Sequence, residues 1–330
     1  MNYILLLIGF ILLVKGADYF VDGSSSIAKK LRVPSLIIGL TIVAFGTSAP
    51  EASVSITAAI NNQNGMAIGN VIGSNIFNLL MVLGASGIIK PLIVEKSMLS
   101  KEFPFLLLIS IILVTLSLDT LFFNSTINTI GRIDGLILLI LFGFFLYYLI
   151  SSALKNRNES YFEDESSIDI DTVNIKVIEK SDSIIKSILI SIIGICAVIF
   201  GGNLVVNSAS NIATNLGISE QLIGLTIVSI GTSLPEFVTS VIAATKGESD
   251  LALGNVVGSN IFNILFILGA SSVISPLTVD YKLIIDGIIM ILSTLLVYFY
   301  AYRKNNISKL ESLSLLVFYL LYLGYLILIS

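Results

Sequence analysis

Ten apolar segments dominate the chain, and most come close to the ~20 residues that an α-helix needs to cross the hydrocarbon core of a bilayer. Hydrophobic residues make up 55% of the sequence and charged residues only 12%, whereas a soluble domain carries roughly a quarter charged residues. Lipid must therefore solvate most of the side chains, and we predict an all-α integral membrane protein with ten transmembrane helices. The predicted spans are 3–27, 35–60, 66–89, 102–119, 129–153, 184–213, 220–244, 250–274, 282–302 and 308–329.

The two ends of the first half need separate interpretation. The first apolar segment has no basic residue before it, whereas a cleaved signal peptide begins with a positively charged region, so we expect it to remain as the first membrane helix. Residues 154–183 contain the stretch NESYFEDESSIDID, which is too acidic and too poor in apolar residues to fold alone. We predict that this segment is a flexible cytoplasmic linker between two five-helix units, 1–153 and 184–330.

The distribution of Lys and Arg predicts how the helices are oriented in the bilayer. Fifteen of these residues fall in the loops on one side of the ten-span arrangement, and two, Arg132 and Lys282, fall in the loops on the other. Cytoplasmic loops carry an excess of Lys and Arg. We therefore expect both termini outside the cell and the linker inside, in a multi-pass protein of the cell membrane.

An internal repeat relates the two five-helix units. Residues 36–94 align without a gap with 221–279, at a constant offset of 185, and 33 of these 59 positions are identical. The shared segments include GLTIV, GTS-x-PE and GNV-x-GSNIFN. Because five crossings separate equivalent positions, the two copies have opposite orientations in the bilayer. Inverted repeats with interrupted helices are a recurring transporter plan, with the ion site where the two halves meet.

The second predicted helix carries four candidate ligands on one face, at the spacing i, i+3, i+4, i+7. These residues are Ala44, Thr47, Ser48 and Glu51. Their equivalents in the other repeat are Ser229, Thr232, Ser233 and Glu236. A proline before each glutamate, Pro50 or Pro235, frees the carbonyl four residues earlier and breaks the helix. A broken membrane helix is tolerated only where polar groups satisfy the loosened backbone.

Oxygen atoms would converge at these breaks, and oxygen is the ligand that Na⁺ and Ca²⁺ prefer. An uncompensated glutamate inside a membrane costs at least ~2.5 kcal/mol, so a pair at equivalent positions predicts ion coordination by Glu51 and Glu236. The hydroxyls could instead bond back to their own helix. Ala44 and Ser229 could contribute only backbone carbonyls.

The following helix of each repeat adds a serine and an asparagine four residues apart, which also lie on one face. These candidate ligands are Ser74, Asn78, Ser259 and Asn263. The alternative role for them is hydrogen bonding between helices. The small-xxx-small pairs Gly69 and Gly73, with Gly254 and Gly258, predict close packing of the same helices.

These motifs resemble the α-repeats of the calcium/cation antiporter superfamily, and specifically its prokaryotic Na⁺/Ca²⁺ exchanger branch. The resemblance covers essentially the whole chain, since both motifs occur twice at a fixed offset around a central loop. It implies that Glu51 and Glu236 bind Ca²⁺ together with Thr47 and Thr232. It further implies that Na⁺ uses the serines, the threonines, the two paired carbonyls and the polar residues of the third and eighth helices.

One departure from the family concerns Asn263, because many relatives carry an aspartate at this position. Both repeats here have asparagine, so only two carboxylates face the predicted site. Asparagine resembles a protonated aspartate in shape and neutrality, so both the same transport cycle and a shifted ion stoichiometry are compatible with it. The exchange also fits a K⁺-independent cycle, since related K⁺-dependent exchangers rely on an acidic residue in this helix.

Other functions stay open at this stage. A H⁺/Ca²⁺ antiporter of the same fold typically has a glutamate, often followed by histidine, soon after the GN pair; this chain has GNVIGSN and no histidine. A K⁺-dependent exchanger and a cation channel use similar oxygen ligands. An intramembrane protease would need a catalytic dyad, which the sequence does not offer. We therefore expect a non-enzymatic carrier of Ca²⁺ and Na⁺ in a lipid bilayer, without a cofactor or nucleic acid, acting as a monomer.

Overall fold

The computed structural model describes residues 2–122, 126–166, 183–216 and 229–329. These residues form thirteen helices and four short strands. The helices are α1 Asn2–Leu31, α2 Ser35–Thr47, α3 Ala49–Ile60, α4 Asn64–Ile89, α5 Met98–Leu116, α6 Asp119–Phe122, α7 Arg132–Ser166, α8 Ile184–Asn215, α9 Ser229–Thr232, α10 Leu234–Lys246, α11 Ser249–Ile274, α12 Tyr281–Lys304 and α13 Lys309–Ile329. The strands are β1 Leu92–Ile93, β2 Thr129–Ile130, β3 Leu277–Thr278 and β4 Asn306–Ile307.

The surface of this helix bundle is apolar, as expected for a protein surrounded by lipid. Large hydrophobic side chains project outward along the helices, for example Leu7 at 64% exposure and Phe144 at 67%. Surfaces of soluble monomers rarely expose contiguous apolar area on this scale. The prediction of a mostly helical, multi-pass membrane protein is confirmed.

The described residues account for nearly all of the predicted spans. Eight helices are long and apolar enough to cross a membrane, and the pair α2–α3, bent by 51°, makes up to nine. The predicted span 220–244 starts among residues 217–228, which lie outside the described residues, and its remainder forms α9 and α10. The count of ten therefore stays a prediction.

Helix α7 is longer than predicted. It continues to Ser166, so the first part of the segment 154–183 is helical rather than a flexible linker. The continuation contains three Glu, which favour helices, and neither Pro nor Gly. Its acidic composition masked this local preference. Residues 167–182 lie outside the described residues.

Helices α4 and α11 form the centre of the bundle. The most apolar window of α11 is 94% buried and that of α4 is 72% buried, whereas no other long helix among the described residues exceeds 39%. Each central helix has a π-helical turn, at Asn78–Val82 in α4 and at Asn263–Leu268 in α11. Such turns widen the helix locally and often mark functional sites.

Contacts between the two repeats tie the bundle together at its ends. Strand β1 pairs antiparallel with β4, and β3, which is the equivalent of β1 in the second repeat, pairs with β2. Helices α1 and α8 pack along their glycines. A Cβ atom on Gly194 would lie 2.5 Å from the backbone nitrogen of Phe20, and one on Gly16 would lie 2.8 Å from that of Val198, so only glycine permits this approach.

Candidate cation site

Two helix breaks bring the predicted ligands to the middle of the bundle. Helices α2 and α3 meet at Ser48 (φ −81°, ψ 7°), and Pro50 lies in the first turn of α3. Helices α9 and α10 meet at Ser233 (φ −89°, ψ 6°), and Pro235 lies in the first turn of α10. The predicted breaks are therefore present in both repeats, with nearly identical backbone conformations.

The two glutamates are fully buried at these breaks, and each is held by a serine of the other repeat. Glu51 and Glu236 have 0% exposure. The hydroxyl of Ser233 donates to Oε1 of Glu51 at 2.9 Å, and the hydroxyl of Ser48 donates to Oε1 of Glu236 at 2.8 Å. These reciprocal hydrogen bonds join the two broken helices in one site.

Four buried oxygen atoms of the predicted ligands have no hydrogen-bond partner. They are Oε2 of Glu51, Oε2 of Glu236, Oδ1 of Asn78 and Oδ1 of Asn263. Leaving such atoms unpaired is costly, and a cation would satisfy all of them. Carboxylate and amide oxygens are suitable ligands for Na⁺ and Ca²⁺. Because no cluster of three or more His, Cys, Asp or Glu side chains occurs in the described residues, the charge at this site comes from the two glutamates.

The threonines bridge the two repeats. The hydroxyl of Thr47 donates to Oδ1 of Asn255 at 3.0 Å and approaches the carbonyl of Ala44 at 3.2 Å. The hydroxyl of Thr232 lies 3.4 Å from Oδ1 of Asn70. The alternative role for these hydroxyls was a bond back to their own helix. Thr47 combines such a contact, with Ala44, with a contact to Asn255 in the other repeat.

The predicted serines of α4 and α11 also lie at the site. The hydroxyl oxygens of Ser74 and Ser233 lie within hydrogen-bond distance of each other, at 3.0 Å. Ser259 donates to the carbonyl of Ala44 at 3.3 Å. The backbone of Ser229 begins α9, and its side chain lies outside the described part, so its contribution stays a prediction.

Four asparagines that the sequence reasoning missed surround these ligands: Asn70, Asn75, Asn255 and Asn260. Asn70 donates to the carbonyl of Glu51 at 3.3 Å and to Ser55 at 2.9 Å. Asn255 repeats this arrangement at Glu236 and Ser240. All four are identical between the repeats, within GNV-x-GSN. The sequence could have indicated them, because each of these amide side chains is retained in both copies of the repeat.

A cavity reaches the site from one side. It has a volume of about 390 Å³ and lies between α3, α8 and the α9–α10 break, with Pro50, Asn203, Asn207 and Thr232 among its lining residues. We call it the α8 cavity. It provides a route by which a hydrated ion can approach Thr232.

The equivalent surface of α1 carries charges instead of amides. Asp18 and Asp22 precede Asn203 and Asn207 by the repeat offset of 185. The ammonium of Lys246, at the end of α10, lies 2.6 Å from Asp18 and 2.7 Å from Asp22. These ion pairs tie α1 to α10. Closer to the end of α1, Lys30 donates to Ser187 at the start of α8 at 2.7 Å.

Fold and site together define a multi-pass membrane protein with a buried pair of glutamates between two broken helices. Residues 1–151 and 186–328 match the family model described as sodium/calcium exchanger protein. The chain belongs to the sodium/calcium exchanger family. This membership makes it a transporter and supports cation exchange that involves Ca²⁺.

Individual relatives cover nearly the full length of the chain. The putative antiporter CaxA of Alkalimonas amylolytica is 36% identical over 323 residues, which are 98% of this chain and 96% of the relative. The sodium/calcium exchanger MaX1 of Methanosarcina acetivorans is 34% identical and covers 98% and 97% of the two chains. A structure of the sodium-calcium exchanger NCX_Mj superposes with a TM-score of 0.82 at 33% identity, covering 98% of both chains.

Proposed function

We propose that this protein is a secondary active antiporter that exchanges Na⁺ for Ca²⁺ across the cell membrane by alternating access. The observation that carries the proposal is the pair Glu51 and Glu236, fully buried and each with one unpaired oxygen. The names of the relatives MaX1 and NCX_Mj, both sodium/calcium exchangers, support the same pair of ions.

Charge balance at the site explains why exchange would be obligatory. Two ionised carboxylates buried close together are unfavourable in a low-dielectric interior unless cations compensate them. One Ca²⁺ neutralises the pair, and Na⁺ ions neutralise it in competition with Ca²⁺. A crossing of the empty, charged site is costly, so each direction of movement needs an ion. Na⁺ flowing down its gradient would thereby drive Ca²⁺ outward.

We assign the ligands from both repeats to one shared site. Ca²⁺ would bind the two glutamates and the two threonines, and Na⁺ would also use the remaining oxygens. The full proposed set is Glu51, Glu236, Thr47, Thr232, Ser48, Ser233, Ser74, Ser259, Asn78, Asn263 and the carbonyls of Ala44 and Ser229. The unpaired oxygens of Asn78 and Asn263 support their inclusion.

The proposed architecture is a ten-helix bundle of two inverted repeats, 1–153 and 184–330, with residues 154–183 between them. Hydrogen bonds that recur between equivalent partners, such as Ser48 with Glu236 and Ser233 with Glu51, support the two-fold relation. The excess of Lys and Arg on one side supports outside termini. Because both halves of the site lie in one chain, a monomer suffices for transport.

Helices α1 and α8 are the proposed moving element. Their glycine-lined contact lets them move as one unit, and they contribute none of the proposed ligands. Movement of this pair along the rest of the bundle would close the α8 cavity and open its counterpart beside α1.

The test is ⁴⁵Ca²⁺ uptake into proteoliposomes under separate gradients. Vesicles loaded with Na⁺ should take up Ca²⁺ when diluted into Na⁺-free buffer, whereas K⁺-loaded vesicles and vesicles given only a pH jump should not. Addition of K⁺ to the Na⁺-loaded vesicles should leave the rate unchanged. Glu51→Gln should abolish the uptake.

Each contrary outcome identifies a different kind of transport protein. Uptake driven by the pH jump alone would establish a H⁺/Ca²⁺ antiporter, and uptake that needs K⁺ together with Na⁺ would establish a K⁺-dependent exchanger. Single-channel currents in planar bilayers would establish a channel. Any of these results overturns Na⁺/Ca²⁺ exchange as proposed.

A further inference from the structure

Four asparagine amides form a closed network at the contact between α4 and α11. Asn75 donates to the carbonyl of Asn260 at 3.3 Å, and Asn260 donates to the carbonyl of Asn75 at 3.2 Å. Asn263 donates to Oδ1 of Asn75 at 3.0 Å, and Asn78 donates to Oδ1 of Asn260 at 3.1 Å. Asn75 and Asn260 have 0% exposure, so water does not compete for these bonds.

The network leaves each amide only one orientation. An asparagine side chain has a donating NH₂ group and an accepting oxygen, and its partners decide which way it points. Because Asn75 directs its NH₂ to a backbone carbonyl and to the sulfur of Met290 at 3.6 Å, its oxygen faces Asn263. An oxygen can only accept, so Asn263 must direct its NH₂ there. The same reasoning applies to Asn260 and Asn78.

The consequence of this network concerns the side-chain oxygens of Asn78 and Asn263. Once the NH₂ groups of Asn78 and Asn263 are engaged, their Oδ1 atoms remain, and both are buried without a partner. A turned amide would instead present two N–H groups, which repel a cation. The network therefore decides whether these two side chains can coordinate an ion.

We infer that Asn75 and Asn260 are positioning residues, which hold the amides of Asn263 and Asn78 with their oxygens free for the transported cation. The inference rests on the cation site of the proposed function. Residues that orient metal ligands typically contribute 10–100-fold to metal affinity.

The inference makes a distinct claim about residue 263. An asparagine needs to be oriented, because one end of its amide repels a cation. An aspartate has two equivalent accepting oxygens and needs no such orientation. Loss of the Asn75 amide should therefore matter when residue 263 is asparagine and lose most of its effect when residue 263 is aspartate.

The experiment is a double-substitution cycle on purified protein in detergent, read as the NaCl concentration that displaces half of the bound ⁴⁵Ca²⁺, because Asn78 and Asn263 are proposed ligands of Na⁺. Asn75→Leu should weaken Na⁺ binding about tenfold in the native background and leave the Ca²⁺ affinity measured without Na⁺ nearly unchanged. In the Asn263→Asp background the same substitution should change Na⁺ binding less than about twofold, whatever Asn263→Asp does by itself. Asn260→Leu should resemble Asn75→Leu, because it frees the amide of Asn78.

Two further variants separate orientation from general damage to the fold. Asn75→Ala is measured in parallel, since it removes the amide without adding bulk. Thr294→Val removes a buried hydroxyl that donates to the carbonyl of Met290, near the same network, and should leave Na⁺ affinity unchanged. Equal losses of Na⁺ affinity from Asn75→Leu in both backgrounds, or no loss in the native one, would overturn the inference. A native protein from which NaCl displaces no ⁴⁵Ca²⁺ would instead overturn the proposed function, so the two failures are distinguishable.

Discussion

The two halves of the cation site share one sequence motif but differ in how tightly they are enclosed. Thr47 has 0% exposure and lies 3.0 Å from Asn255, which is also fully buried. Thr232 is half-buried, lies 3.4 Å from Asn70 and lines the α8 cavity. Since the residues are the same, the difference comes from the helices around them.

The surrounding helices show the same contrast. Beside the closed half, Lys246 links α10 to Asp18 and Asp22 of α1, whereas at the open half the equivalent positions of α8 are Asn203 and Asn207 in the cavity wall. A duplicated site thus occurs in two environments at once. Under the proposed alternating access the two halves would exchange these environments, and the structure would then represent one of the two arrangements.

The first prediction concerns what both halves share. Glu51→Gln and Glu236→Gln should each weaken Ca²⁺ binding by about 100-fold or more, because removing one charge from a buried, compensated group costs about 2–5 kcal/mol. Despite the different enclosure of the two halves, the losses should be similar. Isothermal titration with Ca²⁺ measures both, and a loss confined to one variant would contradict a shared site.

The second prediction concerns the packing of the central helices. A Cβ atom on Gly258 would lie 2.8 Å from the backbone of Leu40 and from Cβ of Ala44. Gly258→Ala should therefore destabilise the protein by about 1–3 kcal/mol through overpacking. Thermal unfolding in detergent should show this as a lowered midpoint.

Gly73→Ala is the matched variant in the other repeat. The repeat predicts that residues 221–228, which lie outside the described residues, pack against Gly73 as α2 packs against Gly258. We therefore expect Gly73→Ala to destabilise the protein by a similar amount, about 1–3 kcal/mol. A much smaller effect of Gly73→Ala would mean that the two halves pack differently.

The close-packing prediction for the four glycines is thus confirmed for Gly254 and Gly258, which contact α2 through Leu36, Leu40 and neighbouring residues. Within the described part of the chain, the nearest atom to a Cβ on Gly69 is 3.7 Å away, on Leu283. For Gly69 and Gly73 the expected partner, residues 221–228, lies outside the described residues, so their close packing stays a prediction.

The smallest effect is expected at the ion pairs of Lys246. These groups are partly exposed, with the Lys246 side chain at 25%, Asp18 at 39% and Asp22 at 62%, so solvent screening limits the pairs to about 1 kcal/mol. Lys246→Met should release α1 and raise the fraction of molecules open on that side. The apparent affinity for Ca²⁺ presented from the linker side should increase by up to about fivefold, with little change from the other side.

Vesicles of known orientation allow the two sides to be measured separately by ⁴⁵Ca²⁺ uptake. Lys29→Met provides the control, because the Lys29 side chain is 75% exposed and its ammonium lies 4.0 Å from the carboxylate of Glu248. Unchanged affinity in Lys246→Met, or equal changes in both variants, would remove the ion pairs from the comparison between α1 and α8.

Much of the site could be predicted from the sequence because the chain contains it twice. Glu51, Ser48 and their equivalents are polar residues within membrane-spanning helices. Because each occurs at the same position in both repeats, chance does not explain their presence there. The proline before each glutamate predicted the helix breaks from covalent structure alone. Local patterns of this kind need no knowledge of the tertiary contacts.

The remainder depended on contacts between distant parts of the chain. The pairing of Lys246 with Asp18 spans more than two hundred residues, and no local pattern indicates it. The orienting role of Asn75 follows only once its oxygen is seen to face Asn263. The helical extension of α7 to Ser166 was hidden by acidic composition, which predicts solvation but says little about local helix propensity.

Competition between the two ions at equilibrium tests the central claim most directly. Purified protein would be saturated with ⁴⁵Ca²⁺ and titrated with NaCl, with choline chloride at the same ionic strength as the control. A single shared site predicts one Ca²⁺ per chain, displaced completely and cooperatively by Na⁺ and not by choline. Ca²⁺ that stays bound at saturating Na⁺ would mean that the two ions occupy separate sites, and would contradict exchange through the buried pair Glu51 and Glu236.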